Sequence, residues 1–284
     1  MSILQAVILG AVQGLTEFVP VSSTAHLFLA QAVMGIANDS MTLAFDIVLH
    51  LGTAAALIAS TRHELMEMVI EAVGWVRGKP ARDRTGRALL LPLIVGTIPG
   101  VVAGLILLKR FEAFRSIGLI GVCMLAACGY FFFAEGVAAR RAAPDRALAD
   151  IDSADGLWIG IAQAAAGLLA GLSRSGFTIA TGRLRRFERA DAARFSFLLA
   201  LPIILGAGAK ALLDLRKHPG PALGAPILLS GFVASAVVGY LAIEVLLRFL
   251  RTHSLRPFGV YLGLLGLLLV SAQLFPAFLP ILGR

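Results

Sequence analysis

Residues 13–26 read Gln13-Gly14-Leu15-Thr16-Glu17-Phe18-Val19-Pro20-Val21-Ser22-Ser23-Thr24-Ala25-His26, and they interrupt an apolar run that begins at Ile3 and resumes at Leu27. A proline followed by three hydroxyl residues ends one helix and starts another. Breaks of this kind are tolerated at membrane depth only where the freed backbone is buried in protein or lines a wet cavity. A second knot, Gly171-Leu172-Ser173-Arg174-Ser175-Gly176, interrupts the apolar run 156–184. Regions 1–35 and 156–184 are therefore predicted to be re-entrant helix hairpins whose tips meet inside the protein.

The rest of the chain places these hairpins in a bilayer. Of 284 residues, 58% are hydrophobic and 15% charged, against about 25% charged in an ordinary soluble domain. The mean hydropathy is +0.86. This balance excludes a disordered chain, a coiled coil and a secreted disulfide scaffold. Segments 43–61, 89–109, 116–137, 195–213, 224–247 and 257–279 are each long enough to cross. A mildly amphipathic piece at 63–76 is expected along the surface. Cys123 and Cys128 lie in one apolar run and make no disulfide or metal pattern. Met1 to Val7 lacks the basic stretch of a secretory signal, so it is expected to stay in the mature chain.

Residues 1–284 are expected to form a single integral-membrane domain with repeat halves 1–137 and 156–284. Gly10-Ala11-Val12-Gln13 matches Gly160-Ile161-Ala162-Gln163, Phe45 to Leu51 matches Phe195 to Leu201, and Gly96 and Gly104 match Gly231 and Gly239. One hairpin and three crossings per half make an odd number, which turns the second half upside down. The expected fold is all-α: a polytopic membrane protein with an inverted-topology repeat, two re-entrant hairpins and about six full transmembrane helices.

The formal charge is +8. Seventeen of the 25 Lys and Arg fall in loops 62–88, 138–155, 183–194 and 248–256, whereas Lys109, Arg110, Arg115, Arg216, Lys217 and Arg284 fall on the other side. The heavier side is expected in the cytoplasm, with both termini outside, on the periplasmic side. The basic excess thus points to membrane lipids and not to nucleic acid, and the arginines of 183–189 read as a lipid-headgroup face.

The two knots hold the scarce chemistry. Gln13 and Glu17 share a helix face, so an amide oxygen and a carboxylate can converge on one divalent cation such as Mg²⁺ or Ca²⁺. Ser22, Ser23 and Thr24 offer hydroxyls and free N–H groups at a helix start. His26 follows Ser23 by three residues and can face its hydroxyl as base to nucleophile. Arg174, flanked by Ser173, Ser175 and Gly176, reads as a clamp for phosphate oxygens. Together these make a metal-assisted phosphoryl-transfer site. Arg174 can instead pair with Glu17 in a buried salt bridge. Asp46 and His50, four apart on a crossing helix, are as readily structural as functional, and Glu244 reads as a helix-pairing or near-interface residue.

Residues Glu17 to His26 resemble the first signature of the BacA/UppP-type undecaprenyl-diphosphate phosphatases: an acidic residue or Gln, three positions, Glu, then Phe-Leu-Pro-Val-Ser-Ser-Ser/Thr-Gly-His-Leu. Gly171 to Thr178 resembles the second, Pro-Gly-x-Ser-Arg-Ser-Gly-x-Thr, and Phe195 to Pro202 is similar to a further family stretch. The likeness covers essentially the whole chain. Gln13 stands where many members have Glu, Ala25 replaces Gly, Ala170 replaces Pro, and His50 stands where Gln is common.

The resemblance implies a hydrolase of the bacterial cytoplasmic (inner) membrane. Its reaction converts undecaprenyl diphosphate to undecaprenyl phosphate and inorganic phosphate, recycling the peptidoglycan carrier and conferring bacitracin resistance. Glu17, Ser23, His26 and Arg174 would be catalytic. Gln13, Ser22, Thr24, Ser173, Ser175, Gly176 and Thr178 would bind the polyprenyl diphosphate lipid, and Glu17 with Gln13 would hold the cation. Ser23 is either the nucleophile or the orienter of an attacking water. A homodimer stays open. The alternative is a carrier that moves undecaprenyl phosphate through the same site.

Overall fold

Two helices of sixteen residues, α1 (Ile3–Phe18) and α7 (Ser153–Leu168), start in the same way. The Ser2 hydroxyl accepts the Gln5 N–H at 3.2 Å while the Gln5 side chain accepts the Ser2 N–H at 2.8 Å. Asp152 and Asp155 exchange the same two bonds ahead of α7, at 2.8 and 3.1 Å. These reciprocal caps satisfy N–H groups that a helix start leaves unpaired. Each helix stops at a break and is followed by a helix of eleven residues, α2 (Ser23–Val33) or α8 (Arg174–Leu184).

The computed structural model describes residues 1–37, 39–78, 84–106, 116–141, 145–217 and 223–275. The remaining helices are α3 (Ser40–Ser60), α4 (Arg62–Val76), α5 (Arg84–Ile106), α6 (Ile117–Ala139), α9 (Arg189–Lys217), α10 (Ala225–Leu250) and α11 (Arg256–Leu274). Among the described residues every regular element is helical, and six helices, α3, α5, α6, α9, α10 and α11, are long and apolar enough to cross a membrane. The apolar runs read from the sequence coincide with these six. The surface piece expected at 63–76 is α4, separated from α3 at Thr61, with Met66, Val69, Ile70 and Val76 exposed.

Small residues bring the broken helices against long ones. α1 packs on α10, where a Cβ on Gly10 would stand 2.5 Å from the Gly231 carbonyl oxygen. α7 packs on α5, where a Cβ on Gly160 would stand 2.1 Å from the Gly96 carbonyl oxygen. Only a missing side chain permits such backbone approach, the usual device for joining helices in lipid. α6 and α11 cross each other nearby, and Ser235 of α10 donates to the Leu49 carbonyl of α3 at 2.7 Å.

One end of the bundle gathers the charged loops. Arg194 reaches Glu64 at 3.1 Å, and Glu135 accepts both Arg189 and the Leu255 N–H. The expectation of a lipid-headgroup face at 183–189 needs correction. Arg183 is buried against Asp145 and the Phe187 carbonyl, Arg185 pairs with Asp155 at 2.7 Å, and Arg189 pairs with Glu135 at 2.7 Å. These guanidiniums tie loops to one another because nearby carboxylates meet them first. Glu244 accepts the Ser60 hydroxyl at 3.1 Å, joining α10 to α3. Lys109, Arg110, Arg115 and Arg284 lie outside the described residues.

Candidate active site

The two breaks meet. α1 stops at Val19, whose backbone is extended, and Ser22 then takes a left-handed conformation (φ 72°) before α2. α7 stops at Leu169, and Gly171 (φ 104°) and Ser173 (φ 61°) lead into α8. A serine held left-handed is strained by about 1–2 kcal/mol. Strain at both helix starts persists because the surrounding packing holds it, as is common at functional sites.

Arg174, the first residue of α8, reaches across to Glu17 near the end of α1, with Nη2 2.5 Å from Oε1. The other carboxylate oxygen, Oε2, accepts the Gln13 amide N–H at 3.0 Å and the Ser23 hydroxyl at 2.6 Å. Both charged side chains are largely buried, with 5% of Glu17 and 16% of Arg174 exposed. A pair this deep is tolerable because hydrogen bonds offset its desolvation. Ser175 Oγ adds a contact to the Val19 carbonyl at 3.4 Å.

A cavity of about 330 Å³ opens beside the pair. Glu17, Ser22, Ser23 and Thr24 line it from the first break, Gly171, Ser173 and Arg174 from the second, and His50 with Ile203, Ile204 and Ala207 complete the wall from α3 and α9. Of the side chains bonded to Glu17, two keep a buried polar atom without a partner: Arg174, on the cavity wall, at Nη1, and Gln13 at Oε1. A buried polar group without a partner calls for a ligand or water. Nη1 can only donate, so it suits an anion's oxygen; Oε1 can only accept, so it suits a cation or a donor. One carboxylate and one amide oxygen fit a divalent cation that takes its remaining ligands from phosphate oxygens and water. Among the described residues no group of three or more His, Cys, Asp or Glu forms a protein-only metal cage.

Other sequence candidates occupy different places. His26 does not face Ser23: its Nδ1 donates to the Ser22 carbonyl at 2.8 Å, and its Nε2 lies 2.6 Å from the Tyr261 hydroxyl on α11. Ser23 gives its proton to Glu17 instead, so the carboxylate holds the position that the sequence assigned to the imidazole. Thr178 is turned away from the cavity, its hydroxyl bonded to the Arg174 and Ser175 carbonyls and to Ser196 Oγ. Gly176 backs onto Phe131, whose ring a Cβ would strike at 2.0 Å, so the close packing there requires glycine. Ser173 accepts the Gly176 N–H at 3.4 Å as the cap of α8.

His50, left open by the sequence, belongs to this site, with Nε2 3.7 Å from Glu17 Oε2. Tyr261 and Ser196 had no signal in the sequence, because each meets its partner only through tertiary packing. Beneath the site Phe18 stacks edge-on against Phe197 with centroids 5.3 Å apart, both fully buried. Phe197 also lines a second cavity at the charged end, with Glu64, Arg194, Arg248 and Arg251.

The chain is similar to known proteins along nearly their full length. The chain is 39% identical over 275 residues to an undecaprenyl-diphosphatase of Rubrobacter xylanophilus, covering 96% of this chain and 99% of that one. It is 42% identical over 271 residues to an undecaprenyl-diphosphatase of Desulforudis audaxviator, covering 95% and 97%. It is 39% identical over 272 residues to an undecaprenyl-diphosphatase of Moorella thermoacetica, covering 95% and 98%. The family model described as bacitracin resistance protein BacA matches residues 6–268, which take in both breaks and all six long apolar helices up to the last turns of α11, and the chain belongs to the BacA family.

Proposed function

We propose that this chain hydrolyses undecaprenyl diphosphate to undecaprenyl phosphate and inorganic phosphate in the bacterial inner membrane, recycling the lipid carrier for peptidoglycan. The observation that carries this reading is the junction of Glu17, Ser23 and Arg174 at the two breaks, with an unpaired Arg174 Nη1 aimed for an anion. The names of the relatives agree with it.

The diphosphate sits in the cavity and the prenyl tail runs out into lipid. Arg174 donates to oxygens of the terminal phosphoryl group, where charge builds as the bond to the bridging oxygen breaks. Ser22 and Thr24 add donors from the start of α2. The Ser23 proton is already directed at Glu17, so the carboxylate can take a proton from Ser23 or from a water that Ser23 orients. The oxygen that loses that proton bonds to phosphorus as the bond to the bridging oxygen breaks and the lipid monophosphate leaves; attack by water gives inorganic phosphate directly, whereas attack by Ser23 gives a phosphoserine that a water then hydrolyses to inorganic phosphate. His26 positions the start of α2 by gripping the Ser22 carbonyl. A divalent cation, Mg²⁺ or Ca²⁺, held by Glu17 and Gln13, would supply charge neutralisation on the phosphate oxygens.

We further infer that 1–137 and 156–284 are inverted repeats whose hairpins re-enter from opposite faces, with the charged end cytoplasmic and both termini outside. The matched caps of α1 and α7, and the Gly10–Gly231 and Gly160–Gly96 contacts, support this. The test of function is phosphate release from undecaprenyl diphosphate by purified protein, lost with EDTA and restored by a divalent cation. Lipid binding without phosphate release would favour the carrier reading.

A further inference from the structure

His50 is the site residue that phosphate recognition leaves unexplained. Its Nδ1 lies 2.7 Å from the Asp46 carbonyl oxygen. A carbonyl can only accept, so Nδ1 donates to it and the ring turns Nε2 toward the site. Nε2 is 3.7 Å from Glu17 Oε2, beyond hydrogen-bond range, and both residues line the cavity. Donor atoms that share one ion at roughly 2.0–2.2 Å stand about 2.8–3.6 Å from each other, close to the separation observed. The Gln13 amide donates its N–H to the same carboxylate, and its Oε1 is fully buried without a partner. An imidazole whose other nitrogen is anchored by a backbone carbonyl is the usual presentation of a metal-bound histidine.

We propose that His50 Nε2 is a direct ligand of the divalent cation held by Glu17 and Gln13, giving a mixed nitrogen and oxygen site that takes Mn²⁺ ahead of Mg²⁺ or Ca²⁺. This rests on the reading of the site as a cation-assisted phosphatase. An all-oxygen set favours the hard cations Mg²⁺ and Ca²⁺, whereas an imidazole nitrogen shifts preference to first-row transition ions. Ser23 remains free to serve the reaction, because the ring approaches from α3 and not from the break.

The test is electron paramagnetic resonance of Mn²⁺ titrated into the full chain, purified in detergent and stripped with EDTA. The wild type is expected to bind Mn²⁺ with nitrogen modulation from a coordinated imidazole. His50→Gln, which offers an amide oxygen of similar reach, should lose that modulation and weaken Mn²⁺ binding at least about tenfold. Competition should show Mg²⁺ displacing Mn²⁺ more easily from the variant. Wild-type Mn²⁺ without nitrogen modulation, no Mn²⁺ binding, or modulation that survives His50→Gln would each overturn the assignment. The wild-type spectrum decides alone if the variant does not fold. Phosphate release measured on the same sample separates the two readings: hydrolysis with no nitrogen signal removes only His50 as a ligand, and a nitrogen signal without hydrolysis removes only the phosphatase.

Discussion

Arg174 Nη2 lies 2.5 Å from Glu17 Oε1, so one ion pair joins two helix breaks that are 157 residues apart in the chain. Each partner compensates the burial of the other, and the pair leaves Nη1 without a partner. Arg174→Ala is expected to lower kcat for phosphate release by about 10²–10³-fold, as for a deleted oxyanion donor. Arg174→Lys keeps the charge but not the planar fork and should recover only a minor part. Near-normal turnover in Arg174→Ala would remove the clamp from the mechanism.

Ser23 donates to Glu17 at 2.6 Å, and no imidazole takes its place. Ser23→Ala should cut kcat by at least about 10²-fold, while His26→Gln should change it far less, since His26 acts through the backbone of Ser22. Retention of a tenth or more of wild-type turnover by Ser23→Ala would exclude a covalent phosphoserine.

Thr178 and Ser196 share a buried bond. Thr178→Val leaves the Ser196 hydroxyl without that partner and should destabilise the protein by about 1–3 kcal/mol, read as a lower melting temperature in detergent. KM should move less than threefold, by roughly 0.6 kcal/mol at most. A large rise in KM with unchanged melting would restore Thr178 as a substrate contact.

The close helix approaches can be tested against an internal control. Gly160→Leu places a side chain where a Cβ already meets the Gly96 carbonyl oxygen at 2.1 Å, whereas a Cβ on Gly104 of the same partner helix meets nothing within 4 Å. Gly160→Leu is expected to cost about 3 kcal/mol or more and to broaden the size-exclusion peak, and Gly104→Ala to stay within about 0.5 kcal/mol of wild type. Equal tolerance at both positions would contradict the packing of α7 on α5.

Asp152 caps α7 at the charged end, and the Asp155 N–H holds its carboxyl below the usual carboxylate range. A depressed folded-state pKa contributes stability that is complete above the unfolded value of about 3.9 and is lost as pH falls through the lower folded value. Asp152→Ala should therefore cost about 1 kcal/mol at pH 7, and Asp152→Asn much less, since Asn also caps. Melting of Asp152→Asn should lose the wild-type dependence on pH below about 4 that this residue supplies. An unchanged profile would show that the cap does not titrate.

The sequence was most legible where local chemistry decides structure. Pro20 cannot continue a helix, Gly171 supplies the left-handed turn, and six apolar runs have only one economical arrangement in lipid. The convergence of Glu17, Ser23 and Arg174 followed from those breaks. Facing directions were not legible. Thr178 and Gly176 sit on the same short helix as Arg174, and only the rotation of α8 against Phe131 and Ser196 decides which residues see the cavity. His26 could not be assigned because its partner, Tyr261, arrives from α11. The arginines of 183–189 misled in the same way, since Asp145, Asp155 and Glu135 reach them only in the folded bundle.

The Phe18–Phe197 contact has an electrical consequence. Phe18 follows Glu17 in the chain and Phe197 lines the cavity that holds Glu64 and Arg194, and neither ring has a polar atom to pass on a proton. Each elementary charge moved through 100 mV releases about 2.3 kcal/mol, so a continuous wet file through this bundle would drain the membrane potential. Two rings set edge to face put an apolar barrier between Glu17 and that second cavity, and so oppose such a file at this point of the bundle.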